Sequence, residues 1–120
     1  MSFDKSSKYL DHYYISKGGK TVYFHKAEIG DLLQNIRAAV DPDTDTTLGG
    51  TLFKCAKVSN NANPTEVKAG RNSVKINNGI YRADADNEIE LSYGEASELI
   101  NKIENRLVKN AIIKSELSDL

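Results

Sequence analysis

The 120-residue sequence predicts an α+β fold in which one antiparallel sheet carries two helices on one face. Two stretches, 21–40 and 88–107, each combine a strand-like alternation of apolar and polar residues with an amphipathic helical pattern directly after it. The predicted order is ββα followed by βββα, with the number of strands open by one or two. This order lacks the regular β-α-β alternation of a parallel, doubly wound sheet.

The second of these stretches has the clearer local signals. Ile89 and Leu91 alternate with polar residues at the spacing of a half-buried strand. Ser92 and Glu95 follow at the S-x-x-E spacing of a capping box, whose side chains accept hydrogen bonds from backbone N–H groups at a helix start. The predicted helix has an apolar face that consists of Ala96, Leu99, Ile100, Ile103 and Leu107.

The first stretch repeats the pattern at an offset of 67 residues, which is 88 minus 21. The aligned pairs are Val22 with Ile89, Phe24 with Leu91, Glu28 with Glu95, Leu32 with Leu99, Leu33 with Ile100 and Ile36 with Ile103. A duplicated unit explains this ββα/βββα pseudo-repeat. The general likeness of any two strand-to-helix junctions explains it as well, and the residues leave both explanations open.

The elements around the first helix are set by turn residues. The polar segment 1–10 is expected to be loose. Residues 13–24 predict a hairpin, because two strand-like runs flank Gly18-Gly19 and paired glycines supply the positive φ angles of a tight turn. Residues 27–40 form the first predicted helix, and the polar loop 41–50 ends it.

The middle of the chain is predicted to consist of short strands. Residues 52–58 predict one strand, 66–77 predict one or two more, and 59–64 form the loop between them. Asn78-Gly79 then predicts a hairpin to a strand at 80–82, because Asn-Gly between strand-like runs is a strong hairpin signal.

Residues 1–120 are expected to form a single domain, with 111–120 as a C-terminal extension that is either helical or a short strand. The chain is 39% hydrophobic and 28% charged, which is typical of globular rather than disordered proteins. It has no apolar run of membrane-spanning length and no apolar signal segment, and its one cysteine, Cys55, has no partner for an internal disulfide. These features predict a cytoplasmic protein without a membrane partner.

The net charge of −1 hides a segregation of charge along the chain. Positive residues predominate in 1–26 and 51–82, which hold most of the candidate strands, and negative residues predominate in 27–46 and 83–104. If the helices cover one face of the sheet, the opposite face is therefore expected to be basic and to create a local electric field.

No residue pattern predicts an enzyme. Gly19-Lys20-Thr21 resembles the end of a P-loop, but the motif's first glycine is missing and a strand follows instead of a helix. Residues 41–45 have the spacing of a calcium loop without its glycine and bidentate glutamate. His12 and His25 lack neighbours at metal-ligand spacing. We therefore predict no catalytic residue, no metal site and no cofactor.

Cations interleave with aromatic residues along the predicted strands, as is typical of proteins that bind single-stranded nucleic acid. In such proteins cations contact the phosphates while bases stack on aromatic rings. The alternative is that tyrosine and lysine are simply favourable residues on exposed strands. The candidate nucleic-acid-binding residues are Lys17, Lys20, Tyr23, Lys54, Lys57, Lys68, Arg71, Lys75, Tyr81 and Arg82.

Two segments, KAGRNSVKIN at 68–77 and IELSYGEASELI at 89–100, with a weaker echo at 22–33, resemble the transcriptional-coactivator/Whirly group of single-stranded-DNA-binding proteins. The resemblance implies a strongly curved antiparallel sheet followed by a helix, with basic and aromatic sheet residues that hold the nucleic acid. It also implies a dimer or a duplicated unit that completes the site. The chain departs from the group's pattern because it has fewer predicted strands before its first helix.

The sequence therefore predicts a non-enzymatic protein that binds single-stranded DNA or RNA through a basic, aromatic-bearing sheet face. Two alternatives stay open. One is a virus-type accessory protein that binds and modulates a host protein complex, and the other is a protein that binds a small anionic ligand, such as a nucleotide, between subunits. The two amphipathic helices and the apolar C-terminal segment also predict a homo-oligomer.

Overall fold

A computed structural model describes residues 1–56, 63–79 and 85–118, with side chains up to residue 111. Within these residues the chain forms seven strands and two α-helices, and one turn of 3-10 helix precedes the first α-helix. Their order is β1 (Ser2–Lys5), β2 (His12–Lys17), β3 (Lys20–His25), α1 (Ile29–Val40), β4 (Thr51–Lys54), β5 (Glu66–Ala69), β6 (Ser73–Asn77), β7 (Glu88–Ser92) and α2 (Tyr93–Ser118).

The strands form two antiparallel sheets, which confirms the α+β class. The first sheet has the order β1-β2-β3 and the second has the order β4-β5-β6-β7. The strand β3 packs beside β7, so the two sheets adjoin, and both helices pack against the strands and against each other. In the described residues, neither helix combines the length and the apolar composition needed to cross a membrane.

The inner faces of both sheets and the facing sides of both helices share one hydrophobic core. Buried residues alternate with exposed ones along the strands, as Val74 and Ile76 do in β6, because successive side chains of a strand point to opposite faces. The fully buried core includes Ile15, Val22, Leu32, Ile36, Val67, Val74, Ile76, Leu91, Leu99 and Ile103. The helical and strand periodicities of the sequence thus predict which faces are buried, with one exception: Leu107, predicted on the apolar face of the second helix, is 38% exposed.

The 3-10 turn that precedes α1 and the helix α2 begin in a similar way, at positions that are 67 residues apart. The Nδ1 atom of His25 accepts a hydrogen bond from the N–H of Ala27 (3.1 Å), and the Oγ atom of Ser92 accepts one from the N–H of Glu95 (3.1 Å). The carboxylates of Glu28 and Glu95 accept hydrogen bonds from the N–H groups of His25 (3.4 Å) and Ser92 (3.0 Å). The predicted capping box at Ser92 is confirmed, and the 3-10 turn that leads into α1 has one at His25.

The N-terminal segment 1–10 contains β1, so the prediction of a loose segment was wrong. Phe3 is the only apolar residue of this strand, which left no alternation for the sequence to reveal. The strand forms because Phe3 stacks on Tyr13, with ring centroids 5.4 Å apart, and because β1 pairs with β2. The Nζ atom of Lys102 in α2 donates a hydrogen bond to the carbonyl oxygen of Met1 (3.3 Å).

The structure also bears on the predicted hairpin at 13–24 and on the predicted C-terminal extension. The hairpin at 13–24 is confirmed, with Gly18 and Gly19 at φ angles of 57° and 82°. The helix of the second unit continues to Ser118, so the extension at 111–120 is helical rather than a strand in its described part. The predicted strand at 80–82 and most of the predicted loop 59–64 lie outside the described residues.

Candidate nucleic-acid interface

The second sheet carries three of the predicted cations on its outer face, the face turned away from the helices. These are Lys54, Lys68 and Lys75, and each is exposed. Acidic side chains share the same face: Glu66 lies opposite Lys54, and Glu90 lies opposite Lys75 in the strand register. The described part of this face therefore has mixed charge and is not basic, contrary to the expectation from the sequence.

The mixed charge follows from the order of the strands. The acidic strand β7 lies beside β6, so Glu88 and Glu90 fall on the same face as Lys75. The Nζ atom of Lys75 lies 4.0 Å from the Glu90 carboxylate, and that of Lys54 lies 3.9 Å from the Glu66 carboxylate. These exposed pairs are weak, but they reduce the positive potential of the face.

The remaining predicted cations differ in whether they form an ion pair. Lys17 reaches the start of α2, where its Nζ atom lies 2.6 Å from a carboxylate oxygen of Glu95. Among the described residues, Lys20, Lys68 and Arg71 have no ion pair and are exposed. Lys57, Tyr81 and Arg82 lie outside the described residues.

The first sheet carries a cluster of five aromatic rings on its outer face, which we call the aromatic cluster: Tyr9, His12, Tyr14, Tyr23 and His25. The rings of Tyr9 and Tyr23 meet edge to face, with centroids 4.8 Å apart, and those of His12 and His25 do the same at 5.1 Å. Tyr14 and Tyr23 have centroids 6.5 Å apart. All five side chains are half-buried, so part of each remains accessible to a ligand.

Strand register explains four of the five positions. His12 is the cross-strand partner of His25, and Tyr14 is the partner of Tyr23. These residues alternate with the buried residues of β2 and β3, which places all four on the outer face. The two rings of each cross-strand pair contact each other, and aromatic pairs of this kind stabilise a sheet.

The fifth ring, Tyr9, comes from the loop between β1 and β2. The buried Oγ atom of Ser6 accepts hydrogen bonds from the N–H groups of Lys8 (3.1 Å) and Tyr9 (3.0 Å) and so folds the loop over the strands. The N–H of Ser6 donates to the carbonyl oxygen of His12 (2.8 Å). The Nζ atom of Lys8 lies 5.4 Å from the centroid of the Tyr9 ring, within cation–π range.

A buried polar group supports the aromatic cluster from the second sheet. Asn78, which is 1% exposed, donates a hydrogen bond from Nδ2 to the carbonyl oxygen of Tyr23 (3.0 Å). Nearby, the hydroxyl of Thr65 donates a hydrogen bond to the carboxylate of Glu28, and both residues are buried. Because these groups are removed from water and hydrogen-bonded, they fix the position of β3 against the second sheet.

Sequence reasoning identified part of this site. Tyr23 was a predicted binding residue and belongs to the aromatic cluster, whereas Tyr9 and His12 were missed. Tyr9 lies in the segment that was expected to be loose, and His12 was treated as an isolated histidine. The available signal was the even spacing of His12 and Tyr14 along the strand, which places them on one face.

The described residues contain little that points to catalysis. No three His, Cys, Asp or Glu side chains among them converge as metal ligands. Cys55 is 3% exposed, and burial, followed by the nearby Asp31 and Glu28 carboxylates, raises the pKa of its thiol to about 12. The thiol is therefore protonated near neutral pH and is a poor nucleophile.

No family model, no curated protein and no solved structure shows significant similarity to this chain.

Proposed function

We propose that this protein is a non-enzymatic, single-stranded nucleic-acid-binding protein that stacks unpaired bases on the aromatic cluster. The observation that carries the proposal is the gathering of Tyr9, Tyr14 and Tyr23, each half-buried, on one sheet face with His12 and His25. A packed core covers the inner side of this sheet, so the rings stand on a rigid support.

The chemistry of the ligand follows from the rings. Stacking on an aromatic side chain is worth about 1–3 kcal/mol per base, and it requires a base face that duplex pairing and stacking would hide. A single strand can place bases against these rings without first breaking a duplex. The resemblance at 68–77 and 89–100 points to the same class of ligand.

Phosphate contacts are expected to be few. Lys8 lies beside the ring of Tyr9, and Lys20 is exposed at the hairpin tip of the same sheet. Lys17 is held by Glu95, and the lysines of the second sheet lie among carboxylates. With roughly two or three phosphates neutralised, the logarithm of the affinity should fall with the logarithm of salt concentration at a slope of about −1.5 to −2.

The test is a salt titration of binding to fluorescent single-stranded oligomers, with duplex as the comparison. Tyr14→Leu and Tyr23→Leu remove a ring while keeping apolar bulk, and each should weaken binding by about fivefold or more. Lys54→Ala and Lys75→Ala, on the mixed-charge face, are the matched controls and should change affinity little. Circular dichroism and thermal unfolding would verify that each variant folds.

Two outcomes would contradict the proposal. One is the absence of binding to any oligomer at low salt, and the other is unchanged affinity in both tyrosine variants. The first outcome would direct attention to the protein-partner alternative, which a pull-down with the whole chain would test. A binding loss confined to the lysine controls would move the site to the second sheet.

A further inference from the structure

A groove of about 280 Å³ runs beside the two central tyrosines of the first sheet. Its lining consists of Ser6, Ser7, Lys8, Tyr14, Ser16, Thr21 and Tyr23. Six of these seven side chains end in a hydroxyl group and the seventh ends in an ammonium group, so the lining includes donors and acceptors and, among the described residues, no carboxylate. Such a lining suits a ligand that carries both hydroxyl groups and negative charge.

The absence of a carboxylate distinguishes this groove from three others in the described part of the chain. Glu66 lines the groove beside Lys54, Glu90 lines the groove beside Lys68 and Lys75, and Asp4 lines the groove between β1 and α2. A carboxylate at a phosphate site would repel the phosphate and offset the attraction of a neighbouring cation. Of the four described linings, that of the groove beside Tyr14 and Tyr23 is the one that combines a cation with hydroxyl groups and has no carboxylate of its own; the Asp86 carboxylate accepts a hydrogen bond from the backbone N–H of Thr21.

The hydroxyl groups hold fixed positions relative to the rings. Ser16 and Thr21 are cross-strand partners, and they lie next to the partners Tyr14 and Tyr23 on the same face. Hydrogen bonds between the backbone of Thr21 and Asp86, one in each direction at 3.0 and 3.1 Å, hold this end of the strand. A ligand with its base against the tyrosines thus brings the adjoining sugar within reach of the serine and threonine hydroxyls.

We propose that this groove binds the sugar-phosphate unit of one nucleotide whose base stacks on Tyr14 or Tyr23, and that Ser16 and Thr21 hydrogen-bond its 2′-hydroxyl. The preferred ligand is then unpaired RNA. This inference rests on the proposed single-stranded nucleic-acid binding and adds the choice between RNA and DNA. The 2′-hydroxyl both donates and accepts hydrogen bonds, and it is the group that lets a protein distinguish the two polymers at a given site.

The expected preference is moderate because the groove is open to water. Deoxyribose would leave the hydroxyls of Ser16 and Thr21 hydrated rather than buried and unpaired, so the loss is that of one or two ordinary hydrogen bonds. We expect an oligouridine to bind about threefold to tenfold more tightly than the oligodeoxyuridine of the same length. The use of deoxyuridine rather than thymidine leaves the 2′ position as the only difference.

The experiment compares both oligomers on the whole protein and on four variants. The double variant Ser16→Ala/Thr21→Val should lower the RNA affinity to the DNA level and leave the DNA affinity unchanged. Thr21→Ser keeps a hydroxyl and should keep the preference. Ser73→Ala, which removes a strand hydroxyl on the outer face of the second sheet, is the matched control, and Tyr23→Leu should weaken binding to both polymers.

The outcomes separate this inference from the proposed function. Equal affinity for RNA and DNA, with both weakened by Tyr23→Leu, would overturn the RNA preference and leave single-strand binding intact. An RNA preference that persists in the Ser16→Ala/Thr21→Val variant would also overturn it, because the discriminating group would then lie elsewhere. If neither oligomer binds at low salt, the proposed function itself fails.

Discussion

The side-chain amide of Asn78 donates a hydrogen bond to the carbonyl oxygen of Tyr23 over 3.0 Å, and this bond joins the second sheet to the strand that carries the aromatic cluster. Asn78 is 1% exposed, so water cannot replace the lost bond without local opening. The position of Tyr23 therefore depends on a hydrogen bond to its backbone carbonyl.

Replacement of Asn78 by alanine should reduce the free energy of unfolding by about 1–3 kcal/mol, because the carbonyl oxygen of Tyr23 loses its buried partner. It should also weaken oligonucleotide binding, although Asn78 is not expected to contact the ligand. Urea denaturation and fluorescence anisotropy measure the two effects. Asn72→Ala, in an exposed turn, is the control and should alter neither; equal stability of both variants would show that the bond to Tyr23 is unimportant.

The two glycines Gly79 and Gly30 should respond in opposite ways to alanine. Gly79 has φ +69°, and a Cβ atom there would lie 2.6 Å from the carbonyl oxygen of Asn63. Gly79→Ala should therefore reduce the free energy of unfolding by at least about 1–3 kcal/mol. Gly30, in α1, has open space around it: apart from its chain neighbours and the backbone of its own helix, no atom lies within 4 Å of the position that a Cβ atom would take.

Gly30→Ala should raise the free energy of unfolding by about 0.5–1 kcal/mol, since alanine restricts the unfolded chain and favours a helix. Urea titrations of both variants give the two values when they are fitted with the same dependence of the unfolding free energy on urea concentration. Destabilisation by Gly30→Ala, or tolerance of Gly79→Ala, would contradict the packing described around these residues.

Glu95 gives the protein a defined sensitivity to acid. The hydrogen bond from Lys17, followed by that from the N–H of Ser92, lowers the pKa of its carboxyl group from 4.5 to about 2. The folded state thus holds the charged form more strongly than the unfolded state does. This contribution to stability is fully present above about pH 4.5 and is lost as the pH falls towards 2.

The Glu95→Gln variant should therefore lose less stability than the native protein between about pH 5 and pH 2.5. Urea midpoints measured across this range provide the comparison. Glu88→Gln is the control, because Glu88 is exposed and has no ion pair among the described residues. Parallel pH profiles for native protein and Glu95→Gln would argue against the Lys17–Glu95 interaction.

The thiol of Cys55 should be unreactive in the folded protein. Its pKa of about 12 leaves very little thiolate near neutral pH, and the side chain is 3% exposed. Iodoacetamide at about pH 8, near the ordinary pKa of a free thiol, should modify the native chain far more slowly than the chain in urea, where the same thiol is exposed. Mass spectrometry follows the modification, and equal rates in both conditions would show that this part of the core is open.

Local patterns in the sequence predict much of the fold. The hairpin at 13–24, the capping box at Ser92 and the buried faces of both helices depend on residues within a few positions of one another. The strand β1 could not be predicted in this way, because its formation depends on Phe3 meeting Tyr13 and on pairing with β2. Phe3 and Tyr13 lie in different segments of the chain, and the residue pattern within either segment does not show that the two rings meet.

The charge of the outer face of the second sheet illustrates the same limit. Lys75 and Glu90 lie far apart in sequence, yet the pairing of β6 with β7 makes them neighbours on one face. A count of charges along the chain therefore predicted a basic face that the strand order does not produce. Tyr9 and Tyr23 show the converse case, in which two distant residues form the centre of the candidate site.

The edge strand β1 has a consequence for assembly. Polar side chains bind backbone groups of β1 and of the residue before it: Lys102 donates to the carbonyl oxygen of Met1, and the carboxylate of Asp4 accepts from the N–H of Lys5 (2.7 Å) and pairs with Arg106. An incoming strand would have to displace charged groups before it could add to the sheet, which discourages amyloid-like stacking of copies at this end. Charged side chains thus protect this edge strand against the addition of further strands, without a proline or a β-bulge.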